Sequence, residues 1–341
     1  MAKVESIQLT ARRSPAGNEG ANVSVDAYET LAGRDVSKAK IGIRRILYPT
    51  DFQDPSRRAF ECALAVAAWY EAALTALHVV PETMTPANEL AYLGNPMILD
   101  PVAQDALGEL SAVVAPARKL GLHAETTLRE GNPAAEIVAM AGGLPADLVV
   151  MGTHGRAGLP RWVLGSVAET VLRRVQCPVL TVPAHAPEHP GPLFFKTILC
   201  ATDFSPASSA AVRYAVSLAV EAEARLTLAH VLDLEKLRGL EHYHDRDGRR
   251  HDFERAAGSM LRSQLQRHPP DGFSSETAIA WGAPASQILK LASARNAGLI
   301  VMGVHGRLLL DLMAFGSVTH DVAREAACPV LTVRPPTGRM D

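Results

Sequence analysis

One apolar run closed by Thr-Asp-Phe occurs twice in this chain, as Ile46-Leu47-Tyr48-Pro49-Thr50-Asp51-Phe52 and as Ile198-Leu199-Cys200-Ala201-Thr202-Asp203-Phe204. The copies lie 152 residues apart, measured from Asp51 to Asp203. A short apolar run that ends in turn-forming residues is typical of a buried β-strand. Each copy therefore predicts a strand with an aspartate just beyond its carboxyl end.

Three further segments repeat in the same order, at offsets of 151 or 152 residues. The matching pairs are Leu77-His78-Val79 with Ala229-His230-Val231, Gly152-Thr153-His154-Gly155-Arg156 with Gly303-Val304-His305-Gly306-Arg307, and Cys177-Pro178-Val179-Leu180-Thr181-Val182 with Cys328-Pro329-Val330-Leu331-Thr332-Val333. Because the offset is nearly constant and too long for a solenoid repeat, it predicts two complete copies of one domain.

The duplication gives the predicted domain bounds. The first domain spans 41–183 and the second 194–336, joined by a Pro-rich linker at 184–193. Residues 1–40 mix small, polar and charged residues without periodicity, which predicts a mobile tail, and we assign it no function.

Each domain alternates short apolar runs with longer helical patterns, as βαβ units do. Strands are predicted near 45–50, 73–80, 123–129, 147–151 and 178–182, and near 196–201, 225–232, 275–281, 299–302 and 329–333. The expected fold class is α/β, with two tandem doubly wound open parallel five-stranded sheets of Rossmann-like type. Asp54-Pro55 and Ser205-Pro206 predict a helix N-cap followed by proline.

Composition excludes several classes of function. The chain is 48% hydrophobic and 21% charged, with a formal net charge of -2. These values are typical of a globular protein and give no long-range attraction to nucleic acid or to an anionic membrane. Its four cysteines lack close CxxC pairs and no 18 apolar residues run uninterrupted, so we expect a cytoplasmic protein without disulfides.

The glycine segments have the features of a phosphate-binding loop. After Gly155 come nine residues and then Gly165-Ser166-Val167, and after Gly306 come nine residues and then Gly316-Ser317-Val318. Glycines let the backbone approach a phosphate closely, and a helix that begins with Gly-Ser offers free N–H groups to an anion. Asp51 and Asp203 could accept hydrogen bonds from sugar hydroxyls.

These motifs resemble those of the universal stress protein family, in its tandem, ATP-binding form. The resemblance covers residues 43–183 and 194–335, and both halves match the family pattern G-x2-G-x9-G-(S/T). It implies an adenine nucleotide alpha hydrolase-like fold and a stress-response sensor or regulator that binds ATP, with Mg²⁺ as a companion ion. The implied ligand-binding residues are Asp51, Val79, Gly152, Gly155, Gly165, Ser166, Val167, Asp203, Val231, Gly303, Gly306, Gly316, Ser317 and Val318.

Two other functions stay open. One is a structural or chaperone-like interaction protein without nucleotide, and the other is a slow ATPase or autophosphorylating enzyme. Because no nucleophile constellation, Walker lysine or kinase-type loop is present, the sequence predicts no catalytic residues and at most weak hydrolysis.

The remaining histidines receive mainly structural interpretations. His78 and His230 lie in apolar strands and are expected to be hydrogen-bonded core residues, while the roles of His154 and His305 stay open. A solvated loop is favoured over a metal site for His242, His244 and His251. Apolar residues between Pro81 and Pro101 could cover the site or pack on the other half, and simple core packing is the default interpretation.

Two expectations concern the relation between the halves. The final strands, 178–182 and 329–333, are expected to pair and to build an internal pseudo-dimer, with a further homodimer as an option. The first site is expected to bind ATP more tightly, because its loop carries Arg156 and Arg161 whereas the second carries Arg307 and Asp311.

Overall fold

The structure is a computed structural model, which describes residues 41–81, 101–153, 164–184, 186, 195–233, 247–266, 274–304 and 316–335. Within these ranges the chain forms ten strands and eight helices. The first repeat contains β1 (Arg45–Pro49), α1 (Asp54–Tyr70), β2 (Ala73–Val80), α2 (Pro101–Lys119), β3 (Ala124–Glu130), α3 (Pro133–Gly143), β4 (Leu148–Gly152), α4 (Ser166–Arg174) and β5 (Val179–Val182).

The second repeat follows the same order of elements. It contains β6 (Thr197–Ala201), α5 (Pro206–Glu221), β7 (Arg225–Leu232), α6 (Asp247–Gln266), β8 (Ser275–Trp281), α7 (Pro284–Ala294), β9 (Leu299–Gly303), α8 (Ser317–Glu325) and β10 (Val330–Val333). Every predicted strand is confirmed, with bounds that differ by one residue at most.

The strands pair in parallel inside each repeat. The order in the first is β3-β2-β1-β4-β5, and the corresponding strands of the second are ordered β8-β7-β6-β9. The central strands β1 and β6 are almost fully buried, which explains their unbroken apolar sequence, because a parallel strand covered on both faces cannot alternate with polar residues. The α/β fold class is therefore confirmed.

The last strand pairs with the first repeat. β10 runs antiparallel to β5, with Leu331 opposite Leu180. The buried hydroxyls of Thr181 and Thr332 donate to the carbonyls of Val330 and Val179, at 3.3 and 3.2 Å. This is the contact between final strands that the sequence predicted, while the two-fold arrangement of the repeats stays a prediction.

The described chain divides into two compact units, whose bounds differ from those of the sequence repeats. One unit contains the described residues of 42–186 together with 323–335, and the other contains Ile41 and the described residues of 195–322. The last strand of the second repeat is thus part of the unit built on the first repeat. The predicted domain bounds remain a description of the repeat alone.

The helix that follows β6 begins as predicted, whereas the one that follows β1 does not. Ser205 caps α5 by accepting the Ser208 N–H at 3.2 Å. In the first repeat the N-cap is Gln53, whose side chain makes no cap bond, so the predicted cap at Asp54 is wrong by one residue. The preceding residue, Phe52 or Phe204, has the same φ of 64° in both repeats. This left-handed turn, rather than the proline, determines where the helix starts.

None of the helices in the described ranges combines the length and apolarity that crossing a bilayer requires.

Candidate functional site

The site predicted from sequence lies where the order of strands reverses. From β1 the chain proceeds to β2 and β3 on one side, while β4 and β5 lie on the other. Loops that leave neighbouring strands in opposite directions open a crevice at the carboxyl edge of the sheet, where ligands bind in open α/β folds. Asp51 follows β1 at this edge, and the glycine loop begins at the end of β4 with Gly152. The β6–β9 pair repeats the arrangement with Asp203 and Gly303.

The turn after β1 is fixed by hydrogen bonds on both sides of Asp51. The Thr50 N–H donates to the Leu77 carbonyl at 2.9 Å, extending the pairing of β1 with β2. The Phe52 N–H donates to the Thr50 hydroxyl at 3.0 Å. The His78 ring nitrogen Nδ1 lies 2.8 Å from the Thr50 carbonyl oxygen. The hydrogen-bonded role predicted for this histidine is confirmed.

One oxygen of the Asp51 carboxylate is held by its own turn. Its Oδ1 accepts hydrogen bonds from the Ser56 hydroxyl and from the Gln53 N–H, the latter at 3.2 Å. Ser56 is buried at the start of α1, and its carbonyl accepts the Tyr48 hydroxyl at 2.7 Å. Burial raises the pKa of Tyr48, so this phenol stays a neutral donor. The aspartate is therefore attached to a rigid part of the core.

The second turn repeats this backbone geometry. The Phe204 N–H donates to the Thr202 hydroxyl at 3.0 Å, and His230 Nδ1 lies 2.7 Å from the Thr202 carbonyl oxygen. The Asp203 carboxylate accepts the Ser205 N–H at 3.0 Å. Both aspartates thus occupy the same position relative to their sheets.

The described ends of the first glycine loop come together at Thr153 and Gly165. Buried Thr153 donates its N–H to Val182 at 3.1 Å, and its carbonyl accepts the Gly165 N–H at 2.9 Å. Gly165 is the N-cap of α4, and no side chain caps this helix. Because the first N–H groups of a helix lack partners inside it, the Ser166-Val167 end of α4 offers donors to an anion.

The second loop has matching ends and a clear reason for one glycine. The Gly316 N–H donates to Val304 at 3.2 Å, and the Thr319 hydroxyl donates to the Gly303 carbonyl at 2.9 Å. A Cβ at Gly303 would lie 2.7 Å from the backbone of Ala207 and Ser208, at the start of α5. This glycine is required by the close approach of strand and helix, whatever the ligand.

The turn after β3 belongs to the same edge and was not predicted as part of the site. Gly131 and Gly282 have φ angles of 139° and 130°, a backbone conformation that glycine adopts more easily than other residues. Their N–H groups donate to the carbonyls of Val80 and Leu232, both at 3.0 Å, next to the site residues Val79 and Val231. The signal was present in the sequence, since Gly131-Asn132-Pro133 recurs as Gly282-Ala283-Pro284.

Comparison with known proteins settles the family. The model of the universal stress protein family matches residues 42–183 and again residues 194–334. The chain belongs to the universal stress protein family. A universal stress protein of Methanocaldococcus jannaschii is 38% identical over 140 residues, which cover 41% of this chain and 81% of that protein.

Longer matches agree with the tandem form of the family. A universal stress protein of Mycolicibacterium smegmatis is 28% identical over 297 residues, covering 85% of this chain and 97% of that protein. The crystal structure of a universal stress protein from Archaeoglobus fulgidus DSM 4304 aligns with a TM-score of 0.63 at 22% identity, covering 86% of this chain and 98% of that one. This structural match supports the fold.

The groups at this edge of the sheet include hydrogen-bond donors and acceptors. In the first repeat the backbone N–H groups of α4 offer donors for an anion and the Asp51 carboxylate offers acceptors for hydroxyls. The Asp203 carboxylate offers the same acceptors in the second repeat. Three of the four cysteines are poor nucleophiles: burial raises the pKa of Cys62 and of Cys177 to about 12, and also raises that of Cys200. A thiol with such a pKa is neutral near pH 7 and unreactive.

Several predicted residues lie outside the described ranges. These are the tail 1–40, the apolar segment 82–100, most of the linker, the histidines His242 and His244, and the loop residues His154, Gly155, Arg156, Arg161, His305, Gly306, Arg307 and Asp311. Of the histidine-rich segment, His251 is described; it is exposed, and its Nδ1 lies 3.9 Å from Glu254. In the described part of the chain no group of three or more His, Cys, Asp or Glu residues could hold a metal ion.

Proposed function

We propose that the chain is a stress-response sensor or regulator that binds ATP in one or both repeats. The proposal rests on one observation made in both repeats: the turn that contains the aspartate lies beside the strand that ends in the first loop glycine. Continuing the register of β1 with β4 puts Thr50 beside Gly152, and the register of β6 with β9 puts Thr202 beside Gly303. In both repeats, groups suited to sugar and to phosphate meet at the switch point of the sheet.

The donors present fit a triphosphate. The N-terminal end of α4 carries no capping side chain, so its N–H groups and the Ser166 hydroxyl can hold phosphate oxygens. Gly152, Gly155 and Val167 complete this subsite, and Asp51 binds the ribose. The backbone of Val79 contacts adenine. In the second repeat the corresponding residues are Gly303, Gly306, Gly316, Ser317, Val318, Asp203 and Val231.

Mg²⁺ would accompany the triphosphate and neutralise part of its charge. Nucleotide occupancy would order the glycine loop and change a surface that a partner protein recognises. The proposal requires no general base. Hydrolysis, where it occurs, is slow, and phosphate release under multiple turnover measures it directly.

The first experiment identifies a nucleotide that is bound when the protein is purified. Freshly purified protein is denatured, and any released ligand is identified by chromatography and mass spectrometry. Titration with ATP, GTP and cyclic AMP in the presence of Mg²⁺ then defines specificity, since cyclic AMP keeps the adenosine part and lacks two phosphates. We expect ATP to bind and GTP to bind weakly; failure of ATP to bind at millimolar concentration contradicts the proposal.

A matched pair of variants shows whether binding uses the predicted loops. Gly165→Asp combined with Gly316→Asp places a carboxylate at the start of each helix, where phosphates must approach, and should abolish binding. Gly108→Asp is the control: Gly108 is exposed in α2, and a Cβ there meets nothing within 4 Å. This control should bind ATP with unchanged affinity.

A further inference from the structure

In both repeats one histidine contacts the residue before the site aspartate and the residue after it. His78 is hydrogen-bonded through Nδ1 to the Thr50 carbonyl, and its ring stacks on Phe52 with centroids 4.3 Å apart and planes at 29°. Asp51 lies between these two contacts. The imidazole therefore holds the aspartate turn from both sides.

The hydrogen bond determines which ring nitrogen carries the proton. A carbonyl oxygen can only accept, so Nδ1 must be the donor. The register of β1 with β2 ends at the pair Pro49 and Leu77. The carbonyl of the next residue, Thr50, accepts a hydrogen bond from the His78 ring. A side chain here replaces the partner that a strand would supply.

The ring contact acts on the most strained residue of the turn. Phe52 has a φ of 64°, a left-handed conformation that is unfavourable for a residue with a Cβ. Stacking on the imidazole favours the ring position that goes with this backbone, because adjacent planar rings attract in offset arrangements. The direction of the Asp51 side chain depends on the same backbone angles.

The second repeat has the same clamp. His230 is hydrogen-bonded to the Thr202 carbonyl at 2.7 Å, and its ring centroid lies 4.6 Å from that of Phe204, with the planes tilted by 38°. Phe204 also has a φ of 64°. The residues around the two turns differ, since Gln53 corresponds to Ser205. The clamp therefore recurs although the buried serine beside the carboxylate, Ser56 or Ser208, makes a different hydrogen bond in each turn.

We propose that His78 and His230 are positioning residues that orient Asp51 and Asp203 toward the sugar hydroxyls of the bound nucleotide. This inference rests on the proposed function, because it assigns the clamp to the ribose part of that site. A histidine that merely stabilised the core would affect every ligand of the site equally. A positioning histidine would affect ligands that carry sugar hydroxyls and spare those that lack them.

The test compares ATP with 2′,3′-dideoxy-ATP at a single site. Gly316→Asp closes the second site, and calorimetry on this parent measures both nucleotides at the first. A hydrogen bond from a hydroxyl to a carboxylate should give the parent a preference for ATP of about tenfold or more. Asp51→Asn sets the preference that remains when the carboxylate is lost.

Two histidine variants then separate positioning from packing. His78→Phe keeps an aromatic ring and removes the donor, and should lower the preference for ATP about fivefold while dideoxy-ATP binds within about twofold of the parent. His78→Asn places an amide N–H near the position of Nδ1 and should restore most of the preference. Circular dichroism melting confirms that each variant is folded, and His230 variants in a Gly165→Asp parent repeat the test at the second site.

The outcomes distinguish the two proposals. Equal losses for both nucleotides in His78→Phe, or a parent that does not prefer ATP to the dideoxy form, overturn the positioning role and leave ATP binding intact. If the parent binds neither nucleotide, the proposed function fails and the positioning role fails with it.

Discussion

In the first repeat the Ser56 hydroxyl donates to the Asp51 carboxylate, whereas in the second repeat the corresponding Ser208 hydroxyl donates to the Ser205 carbonyl at 3.1 Å. Both serines are buried at the start of the helix that follows the turn. The two turns nevertheless share their backbone geometry, down to the φ of the phenylalanine. Turn shape thus depends on contacts that both repeats keep, while the surroundings of the carboxylate differ between them.

The largest effect should come from closing one site at a time. Gly165→Asp should remove binding at the first repeat, and Gly316→Asp should remove it at the second, each by more than about 100-fold, because the new carboxylate meets the phosphates. Calorimetry should change from two binding events to one in either variant. Two remaining events in both variants would show that the nucleotide binds elsewhere.

A second prediction concerns Gly303, whose role in the second repeat is structural. Gly303→Ala should lower the free energy of unfolding by about 1–3 kcal/mol, because its Cβ would lie 2.7 Å from the backbone of Ala207 and Ser208. Urea denaturation measures the change. The matched control is Gly142→Ala in α3, where a Cβ meets nothing within 4 Å and stability should be equal or slightly higher. Equal effects of the two changes would contradict the packing argument.

Arg334 makes a contact that has no counterpart in the first repeat, because the matching position there is Pro183. Its half-buried guanidinium donates to the carbonyls of Leu172, at 2.8 Å, and Arg173 at the end of α4. Arg334→Gln should lower the free energy of unfolding by about 1–2 kcal/mol, because charged donors stabilise the last helical carbonyls.

The control for Arg334 is an arginine in an exposed ion pair. Arg255 contacts Asp252 at 3.1 Å, with 72% of its side chain exposed. Arg255→Gln should change stability by less than about 0.5 kcal/mol, because exposed pairs contribute little. A change as large as that of Arg334→Gln would mean that loss of charge alone explains both results.

The two sites should also differ in affinity by several-fold. The first loop carries Arg156 and Arg161, whereas Arg307 in the second is balanced by Asp311. A difference of two charges near a triphosphate contributes on the order of 1 kcal/mol after screening by salt. The single variants Gly165→Asp and Gly316→Asp expose one site each to calorimetry, and equal affinities would show that these charges face solvent.

The smallest expected effect on stability comes from Glu276, which lies near the amino end of β8, at the edge of the sheet away from the candidate site. The Glu276 carboxylate accepts hydrogen bonds from Arg295 at 2.6 Å and from Thr227 at 2.8 Å. Both bonds lower the pKa of Glu276, and the bond from Arg295 has the larger effect. Its stabilising contribution is therefore present above the ordinary pKa of a glutamate and lost as the pH falls below about 4. Since the carboxylate is about half exposed, the contribution stays below about 1 kcal/mol.

Arg295→Leu tests this effect by installing the residue found at the matching position of the first repeat, Leu144. Urea denaturation between pH 6 and pH 3 should show a shallower loss of stability in acid than for the unchanged protein. An identical pH profile would mean that the pair contributes nothing measurable.

Most of the fold could be predicted from the sequence, because most strands are short apolar runs that occur once in each repeat, whereas β3 and β8 are more polar and less buried. The cap at Ser205 was also predictable, because serine before proline is a strong local signal for the start of a helix. The cap position at Gln53 could not be predicted, because it is set by the left-handed turn at Phe52, and phenylalanine does not by itself indicate such a turn. Local composition therefore predicts elements well and predicts their first residues poorly.

The site was predictable to the extent that its residues lie in repeated motifs. Asp51 and Gly152 each follow a strand, and the strand order brings those two strands together. The contacts of His78 depend on a residue 28 positions away along the chain, so the sequence predicted a hydrogen bond without its partner. The pairing of β10 with β5 was expected, yet the inclusion of 323–335 in the first compact unit depends on contacts distant in sequence.

The position of β10 has a consequence for synthesis of the chain. β5 is complete at Val182, but the strand that covers its open edge begins at Val330, roughly 150 residues later. At about 5–20 residues per second, a ribosome needs roughly 7 to 30 seconds to supply it. During that interval the unit built on the first repeat presents an unpaired apolar strand, and unpaired edges are where chains associate wrongly. The nascent chain is thus most vulnerable while its second repeat is being made, and this exposure ends with translation of the last strand.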